Sequence, residues 1–195
     1  MTSNGKSTKK PSIRASLRET TQSLHEDVEA FWMSNKCFDS EDTYRRFLTT
    51  VLAAHQSVGL RAAKVRGDLD DVKEEENRIA ALCADLSLSV PHQSDGPDGE
   101  DSRMSASYAW GVGYVLNGSA LGAAVMLDRG YLKDGWPDQY FLLGRSLVRT
   151  GGLKRFFYRL NTVPLDEADV ANGAKDTFSI FRDDHDADKS DSAPK

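Results

Sequence analysis

A run of glycines within an uncharged stretch is the feature of this sequence whose chemistry most needs explaining. Residues 111–123 read GVGYVLNGSALGA, and each glycine inside a helix costs roughly 0.5–1 kcal/mol relative to alanine. Two explanations are open. The glycines could allow tight helix packing. Alternatively, the backbone at Gly118 and Gly122, with Ser119 and Ala123 beside it, could lie against a large flat ligand and bend there to accommodate it.

The second candidate is His25, which lies in the segment LRETTQSLHEDVE. Helical spacing places several polar side chains on one face beside an apolar stripe: Arg18, Thr21, Gln22, His25 and Glu29. An imidazole is a common axial ligand of haem iron, and the Glu29 carboxylate one turn away could orient its other nitrogen. The alternative is that His25 is a hydrogen-bonded residue at the edge of the core.

A third candidate is the segment KRFFYR at 154–159, which interleaves cations with aromatic residues in an acidic chain. Arg155 and Arg159 share one helical face because they are four residues apart. Arginine side chains bind carboxylates through parallel hydrogen bonds, so together with Arg18 they could hold an acidic planar molecule such as a haem with its propionates. Alternatively, they form a solvated face whose aliphatic stems cover the core.

Other kinds of chemical site are not indicated by the sequence. Cys37 and Cys83 are too few for a zinc cluster or a disulfide framework and are predicted to be ordinary thiols. The sequence contains no His/Cys cluster with metal-site spacing, no phosphate-binding loop and no serine elbow. His55 is predicted to lie in the core or at its edge, and Tyr114 is expected to pack rather than to catalyse.

The elements that carry these residues are predicted to be helices, because apolar positions recur at steps of three and four residues. One helix begins at Ser12, and the same period is seen at 42–66, 72–86, 104–127, 139–148, 153–160 and 165–182. No alternating run bounded by turn residues indicates a strand. The predicted fold class is therefore all-α, a single-domain multi-helix bundle. We expect this domain to span 12–182, between disordered tails at 1–11 and 183–195, with a loop at 89–102.

Composition and charge restrict the class of function. The chain has 195 residues, of which 39% are hydrophobic, enough for a sizeable core. A net charge of −5 argues against a nucleic-acid partner. Residues 104–127 are uncharged and long enough to cross a membrane, but serines, an asparagine and glycines dilute their hydrophobicity, so we predict a buried helix and no membrane partner. The polar N-terminus shows no signal peptide, and we expect a cytoplasmic protein.

Taken together, these segments resemble the haem oxygenase family, especially its bacterial members. LRETTQSLHEDVE is similar to that family's first helix, with His25 at the position of the proximal iron ligand and Glu29 one turn on. GYVLNGSALGAAVM is similar to the distal helix with its Gly-x-x-x-Gly-Gly core, and NGAKDTFSIF at 172–181 is similar to the family's last helix. The resemblance extends over residues 12–181.

The resemblance implies that a haem is held between a proximal helix and a distal helix that is kinked at 118–123. The implied metal ligand is His25, and the implied distal wall consists of Gly118, Ser119, Gly122 and Ala123. The other implied haem contacts are Arg18, Thr21, Glu29, Tyr114, Arg155 and Arg159. Two residues depart from the family pattern. Ala123 replaces a second glycine and would add a methyl group near the iron-bound ligand, and Ser119 replaces an aspartate that many members use to organise distal water.

The activity implied by the resemblance is oxidative cleavage of haem to biliverdin, CO and ferrous iron. Haem is then both cofactor and substrate, and O2 is the oxidant. The electrons come from a separate donor such as a ferredoxin or an NAD(P)H-dependent reductase, since no flavin or nicotinamide motif occurs in the sequence. Three alternatives remain: a haem-binding carrier or sensor with the same fold and no turnover, a helical interaction protein, and an enzyme of related fold that acts on another small molecule.

Overall fold

We describe residues 11–90 and 104–183 of a computed structural model of the chain. Within these two ranges every regular element is helical, so the predicted all-α class is confirmed. In chain order the elements are α1 (Ile13–Ser34), α2 (Glu41–Ala54), a π-helical turn (His55–Gly59), α3 (Leu60–Arg66), α4 (Leu69–Leu86), α5 (Ala106–Asp128), α6 (Gln139–Thr150), α7 (Gly152–Thr162) and α8 (Glu167–Asp183).

The predicted tails and the predicted loop fall mostly outside the described residues. Of the tails at 1–11 and 183–195, only Pro11 and Asp183 are described, and of the loop at 89–102 only its first two residues are. Asp183 is the last residue of α8 and not the first of a tail. The domain limits of 12–182 therefore stay a prediction, with the helical part extending one residue further.

Polar side chains at helix N-termini explain where helices begin. The Ser12 hydroxyl accepts a hydrogen bond from the backbone N–H of Ala15 at 3.3 Å, so α1 begins directly after Ser12. The Asp68 carboxylate accepts one from the backbone N–H of Asp70 at 2.8 Å, and α4 consequently begins three residues before the predicted start. The predicted helix at 42–66 is α2, the π-helical turn and α3 in direct succession.

The central helix of the bundle is α5, which packs against α3, α6 and α8. Glycines allow its closest crossing, because a Cβ atom at Gly111 would overlap the carbonyl oxygen of Val170 on α8. In the same crossing, a Cβ atom at Gly173 of α8 would overlap the carbonyl oxygen of Tyr108. The backbones of α5 and α8 are therefore in direct contact, which only residues without a side chain permit.

The helix α5 is long and apolar enough to cross a membrane. Among the described residues, no other helix has this length and composition. In the structure, 56% of its apolar window is buried inside the protein. A helix that is apolar on nearly all sides and packed between other helices is typical of a bundle core. The burial agrees with the predicted buried helix.

Candidate functional site

One face of α5 is open. Ideal Cβ atoms at Gly118 and Gly122 would have no described atom within 4 Å beyond their own helix neighbourhood. Tyr114, one turn before Gly118, is half-buried on the same side of the helix. The α-helix continues through both glycines without interruption, so no break in the helix marks the predicted kink.

The two explanations of the glycine run apply to different halves of α5. At Gly113 a Cβ atom would lie 2.7 Å from Nη1 of Arg66 and 2.9 Å from Cζ of Phe156, and at Gly111 it would overlap α8. These N-terminal glycines serve close packing. Gly118 and Gly122 serve no packing contact with the described residues, so a different reason must account for them.

His25 lies on the exposed face of α1. Its side chain is 68% exposed, and its ring contacts the edge of Phe178 on α8, with the ring centroids 6.3 Å apart. Nδ1 lies 3.9 Å from Oε2 of Glu29, which is an ion-pair separation and too long for a hydrogen bond. The imidazole is thus accessible and is not a packing residue of the core.

The helix α8 links the two faces, because it packs against both α1 and α5. His25 contacts α8 through Phe178, and α5 meets α8 at Gly111 and Gly173. The two surfaces that the sequence singles out therefore flank the same helix. Among the residues that the structure describes, no side chain covers Gly118 or Gly122, and the side chain of His25 is exposed.

Thr21 and Arg18 lie on different sides of α1. The Thr21 side chain is buried, and its hydroxyl donates a 2.7 Å hydrogen bond to the carbonyl oxygen of Leu17. Arg18 is exposed, as are His25 and Glu29. Arg18 therefore lies on the exposed face of α1 with His25, whereas Thr21 lies in the core. The burial of Thr21 differs from the expectation that this residue contacts a haem.

The arginines of α7 have partners within the chain. Nη2 of Arg155 lies 2.7 Å from Oε1 of Glu74, and Nη1 of Arg159 pairs with Asp68 and lies 3.5 Å from Oδ1 of Asp71. All three carboxylates lie at or near the beginning of α4. Arg155 and Arg159 do share one helical face, as predicted, but that face is directed at α4.

A different face of α7 is directed at α1. Asn161 accepts a 3.0 Å hydrogen bond from the backbone N–H of Arg14, and the Arg14 guanidinium lies 4.1 Å from the centroid of the Phe157 ring. Arg159 is two residues from both Phe157 and Asn161, a rotation of about 200° around the helix, so it points away from α1. Lys154 lies three residues before Phe157 on the α1 side and is exposed. The sequence analysis did not single out Lys154, because helical periodicity shows which residues share a face but not which neighbouring helix that face meets.

Ser119 and Ala123 are directed at α6. The Ser119 hydroxyl lies 3.1 Å from the hydroxyl of Tyr140. Ala123 is buried, and a Cβ atom at Gly144 of α6 would lie 3.5 Å from its methyl carbon. The methyl group of Ala123 therefore packs against α6, since residue 123 lies about 100° around the helix from Gly122, and the expectation that it stands near an iron-bound ligand stays a prediction.

A buried polar network lies behind Ser119. His55 is fully buried, as predicted, but both ring nitrogens have polar partners: Nδ1 lies 2.5 Å from Oε1 of Glu75, and Nε2 lies 3.3 Å from the hydroxyl of Tyr140. Arg78 donates 2.8 Å hydrogen bonds to Oε2 of Glu75 and to Oδ1 of Asn117. The sequence shows these polar residues at positions where the helical period expects apolar ones. Periodicity alone does not show that they contact one another.

Local features position this network. Gly59, at the end of the π-helical turn, leaves room for Glu75, since a Cβ atom there would overlap Oε1. A π turn adds a residue to the helical repeat and so rotates the side chains around it. On the other side, the Asp85 carboxylate accepts hydrogen bonds from the backbone N–H groups of Gln139 and Tyr140, both at 2.9 Å. Asp85 thereby fixes the beginning of α6 and the place of Tyr140.

The charges in the network are set by their neighbours. Burial alone would raise the pKa of Glu75, but the adjoining His55 and Arg78 together lower it to about 2, so the carboxylate is ionised. Burial raises the pKa of Tyr140 to about 12, which keeps its hydroxyl protonated. Glu75 can therefore only accept hydrogen bonds, whereas Tyr140 has one proton to donate.

Comparison with known proteins gives one kind of match. The chain matches no protein-family model and no curated protein sequence. Its structure is similar to the crystal structures of the NO- and CO-bound haem oxygenase from Neisseria meningitidis, with a TM-score of 0.57 over 88% of each chain and 22% sequence identity. At that identity the likeness concerns the arrangement of helices. The chain therefore has the all-helical haem oxygenase fold.

Proposed function

We propose that the chain binds haem between the exposed face of α1, which carries His25, and the open face of α5, which carries Gly118 and Gly122, and that it cleaves the haem oxidatively. The observation that carries this proposal is that the two glycines border open space although α5 is closely packed elsewhere. Side chains at these positions would fill the space that a flat ligand needs. The residues present fit a haem for this reason.

His25 is the proposed ligand of the iron. Its imidazole is accessible, and a neutral histidine nitrogen is a strong ligand for haem iron. Rotation of the exposed Glu29 side chain would bring its carboxylate from 3.9 Å to hydrogen-bond distance of Nδ1. That contact would orient the ring and leave Nε2 to bind the metal.

Exposed cations on α1 and α7 are the proposed partners of the propionates. Arg18 lies in the same row as His25, and Lys154 lies on the side of α7 that faces α1. Arg155 and Arg159 would have to leave their carboxylate partners on α4 to take part. We therefore assign the propionates to Arg18 and Lys154 and give the α7 arginines a structural role.

The distal side is the backbone of α5. Gly118 and Gly122 form a wall without side chains, Tyr114 borders it one turn away, and Ser119 lies beside it on the side of α5 that faces α6. When bound, haem would supply redox chemistry at its iron, and its ring would be the substrate that is opened to biliverdin with release of CO and ferrous iron. The task of this chain is to hold that ring in one orientation against the glycine wall.

The oxidant in this proposal is O2, and the electrons come from outside the chain. The sequence carries no flavin or nicotinamide motif, so a ferredoxin or an NAD(P)H-dependent reductase is the proposed donor. Such a donor needs access only to an edge of the haem. We propose a cytoplasmic location because these donors are found there, and we propose no membrane or nucleic-acid partner.

A spectrum of the hemin-loaded protein before and after reduction in air tests the proposal. We expect a Soret band at stoichiometric hemin, followed on addition of a reductase system by loss of that band, appearance of biliverdin absorbance and release of CO. His25→Ala should change the axial-ligand spectrum and abolish turnover while the helical content is unchanged, because the side chain is exposed. Gln22→Ala, a neighbour on the same helix, is the matched control.

The outcomes separate the alternatives. A Soret band that persists under reduction in air would identify a carrier or sensor with the same fold, a reading that the serine at residue 119 favours. Failure to bind hemin would contradict the proposal and leave a helical interaction protein or an enzyme for another small molecule. An unchanged spectrum in His25→Ala would contradict the assignment of the iron ligand.

A further inference from the structure

We infer that the C-terminal ends of α5 and α6 form a docking surface for an acidic electron-donor protein. This α5–α6 end surface consists of Val125, Arg129, Arg145, Val148 and Arg149. The inference deepens the proposed function, on which it rests for the role of the partner. In each encounter the donor would be oxidised by one electron, and the ferric iron of bound haem would be reduced by it.

The helices α5 and α6 run in the same direction, so their C-terminal ends lie together. Three contacts advance along both helices, namely Ser119 with Tyr140, Ala123 with Gly144, and Asp128 with Arg145. The last of these is an ion pair of 3.7 Å. Arg149 lies one turn beyond Arg145, and Arg129 directly follows Asp128. Both arginines are therefore at the same end of the bundle.

The end surface is basic although the chain is acidic. The chain has a net charge of −5, yet α6 contains Arg145 and Arg149 and no acidic residue. Arg129 and Arg149 are exposed, and no carboxylate of the described residues lies within ion-pair distance of either. Two cations of the surface are thus available to carboxylates of a partner.

Exposed valines accompany these cations. Val125 is 40% exposed and Val148 is 44% exposed. Arginines near helix C-termini offset the helix dipole, but this effect gives no reason for apolar side chains exposed beside them. An apolar centre combined with arginines is typical of protein–protein interfaces. The composition therefore favours a protein partner.

The end surface adjoins the open face of α5. Val125 lies three residues after Gly122 and seven after Gly118, so all three share one side of the helix. Val125 is consequently about one turn from the glycine wall. A protein docked on the end surface would reach the edge of a haem that lies against these glycines.

The α1 side of the proposed haem site is less suited to an acidic partner. Glu26 and Glu29 are exposed neighbours of His25, and their charges would repel an acidic protein. The exposed cations Arg18 and Lys154 are proposed partners of the propionates, which would neutralise them. Charge therefore directs an acidic donor to the α5–α6 end surface.

The first test measures binding without haem. The probe is an oxidised [2Fe–2S] ferredoxin of strongly negative net charge, titrated into the ligand-free protein at low ionic strength and followed by calorimetry. The double variant Arg129→Glu/Arg149→Glu should bind at least about tenfold more weakly, because two attractions become repulsions. Arg46→Glu/Lys64→Glu makes the same charge change at exposed residues of α2 and α3 and should bind as tightly as the natural protein.

Three outcomes of this titration would overturn the inference. The first is undiminished binding by Arg129→Glu/Arg149→Glu, and the second is equal loss of affinity in both double variants, which would indicate net charge and not a site. The third is no binding by the natural protein. Binding to phosphatidylglycerol vesicles in that third case would show that the surface contacts a membrane instead.

The second test separates docking from chemistry. Hemin-loaded protein receives electrons either from the same ferredoxin, kept reduced by its reductase and NADPH, or from ascorbate, which needs no docking surface. Arg129→Glu/Arg149→Glu should raise the KM for ferredoxin at least about tenfold and leave hemin affinity and ascorbate-driven turnover unchanged. Equal loss with both donors would overturn the docking role. Absence of a Soret complex would instead contradict the proposed function and leave the calorimetric result standing.

Discussion

Gly59 on the π-helical turn lies so close to Glu75 on α4 that a Cβ atom at residue 59 would overlap Oε1 of the carboxylate. Gly59→Ala should therefore displace the carboxylate from His55 and lower the free energy of unfolding by about 1–3 kcal/mol, as expected for an added methyl group in a packed core. Urea denaturation of the ligand-free protein measures this change.

Gly118→Ala is the matched control for that variant. Its methyl group would enter open space, and alanine is favoured over glycine inside a helix, so the free energy of unfolding should rise by up to about 1 kcal/mol. Equal destabilisation of the two variants would contradict the distinction between packed and open glycines.

Gly118→Leu should obstruct the haem site without unfolding the protein. The leucine side chain would project from the open face of α5, where no described atom competes for the space. We expect hemin affinity to fall at least about tenfold, equivalent to about 1.4 kcal/mol, with unchanged helical content by circular dichroism. Lys73→Leu, which adds the same side chain on exposed α4, should retain full affinity. Undiminished hemin binding by Gly118→Leu would place the ligand elsewhere.

Acid should destabilise the protein through Glu75. Its pKa of about 2 lies below the ordinary value of 4.5, because His55 and Arg78 favour the ionised form. The unfolded chain consequently takes up a proton first as the pH falls from about 5 toward about 2, and up to about 3 kcal/mol of stability is lost over that window. Urea unfolding between pH 7 and pH 3 measures the loss.

Glu75→Gln removes the titrating group. This variant should be less stable than the natural protein at pH 7 and should lose less further stability on acidification. Curves with the same steepness for both proteins would show that another carboxylate carries the acid sensitivity.

The cations of α7 should separate into two classes. Arg159→Ala breaks the pairs with Asp68 and Asp71 and should lower the free energy of unfolding by about 1 kcal/mol with unchanged hemin affinity. Lys154→Ala should leave stability unchanged and weaken hemin binding, which a fluorescence-quenching titration measures. Weaker hemin binding by Arg159→Ala together with unchanged binding by Lys154→Ala would indicate that the arginines of α7, and not Lys154, bind the propionates.

The helices could be predicted from the sequence, because apolar spacing and capping residues are local. Ser12 sets the beginning of α1, and the uncharged, nearly all-apolar run at 104–127 identifies α5. The π-helical turn at 55–59 was not predicted from the apolar period, and the packing of Gly59 against Glu75 on α4 is a tertiary contact that local spacing does not show.

The candidate site could be predicted in part for the same reason. Helical spacing correctly grouped Arg155 with Arg159, but only packing decides that their shared face meets α4. Thr21 was placed with His25 by spacing, and its burial depends on how α1 packs against the rest of the bundle. The network around His55 escaped prediction because its members come from four separate elements.

The direct backbone contacts of Gly111 and Gly173 have a mechanical consequence. They hold α5 and α8 together as one rigid unit, because sliding one helix past the other would bring carbonyl oxygens into steric overlap with the main chain of its neighbour. The α1 helix contacts this unit through side chains, such as His25 against Phe178, and side chains can move by changing rotamer. If the chain binds a planar ligand as proposed, we expect entry and release of that ligand to require movement of α1 rather than of α5 and α8.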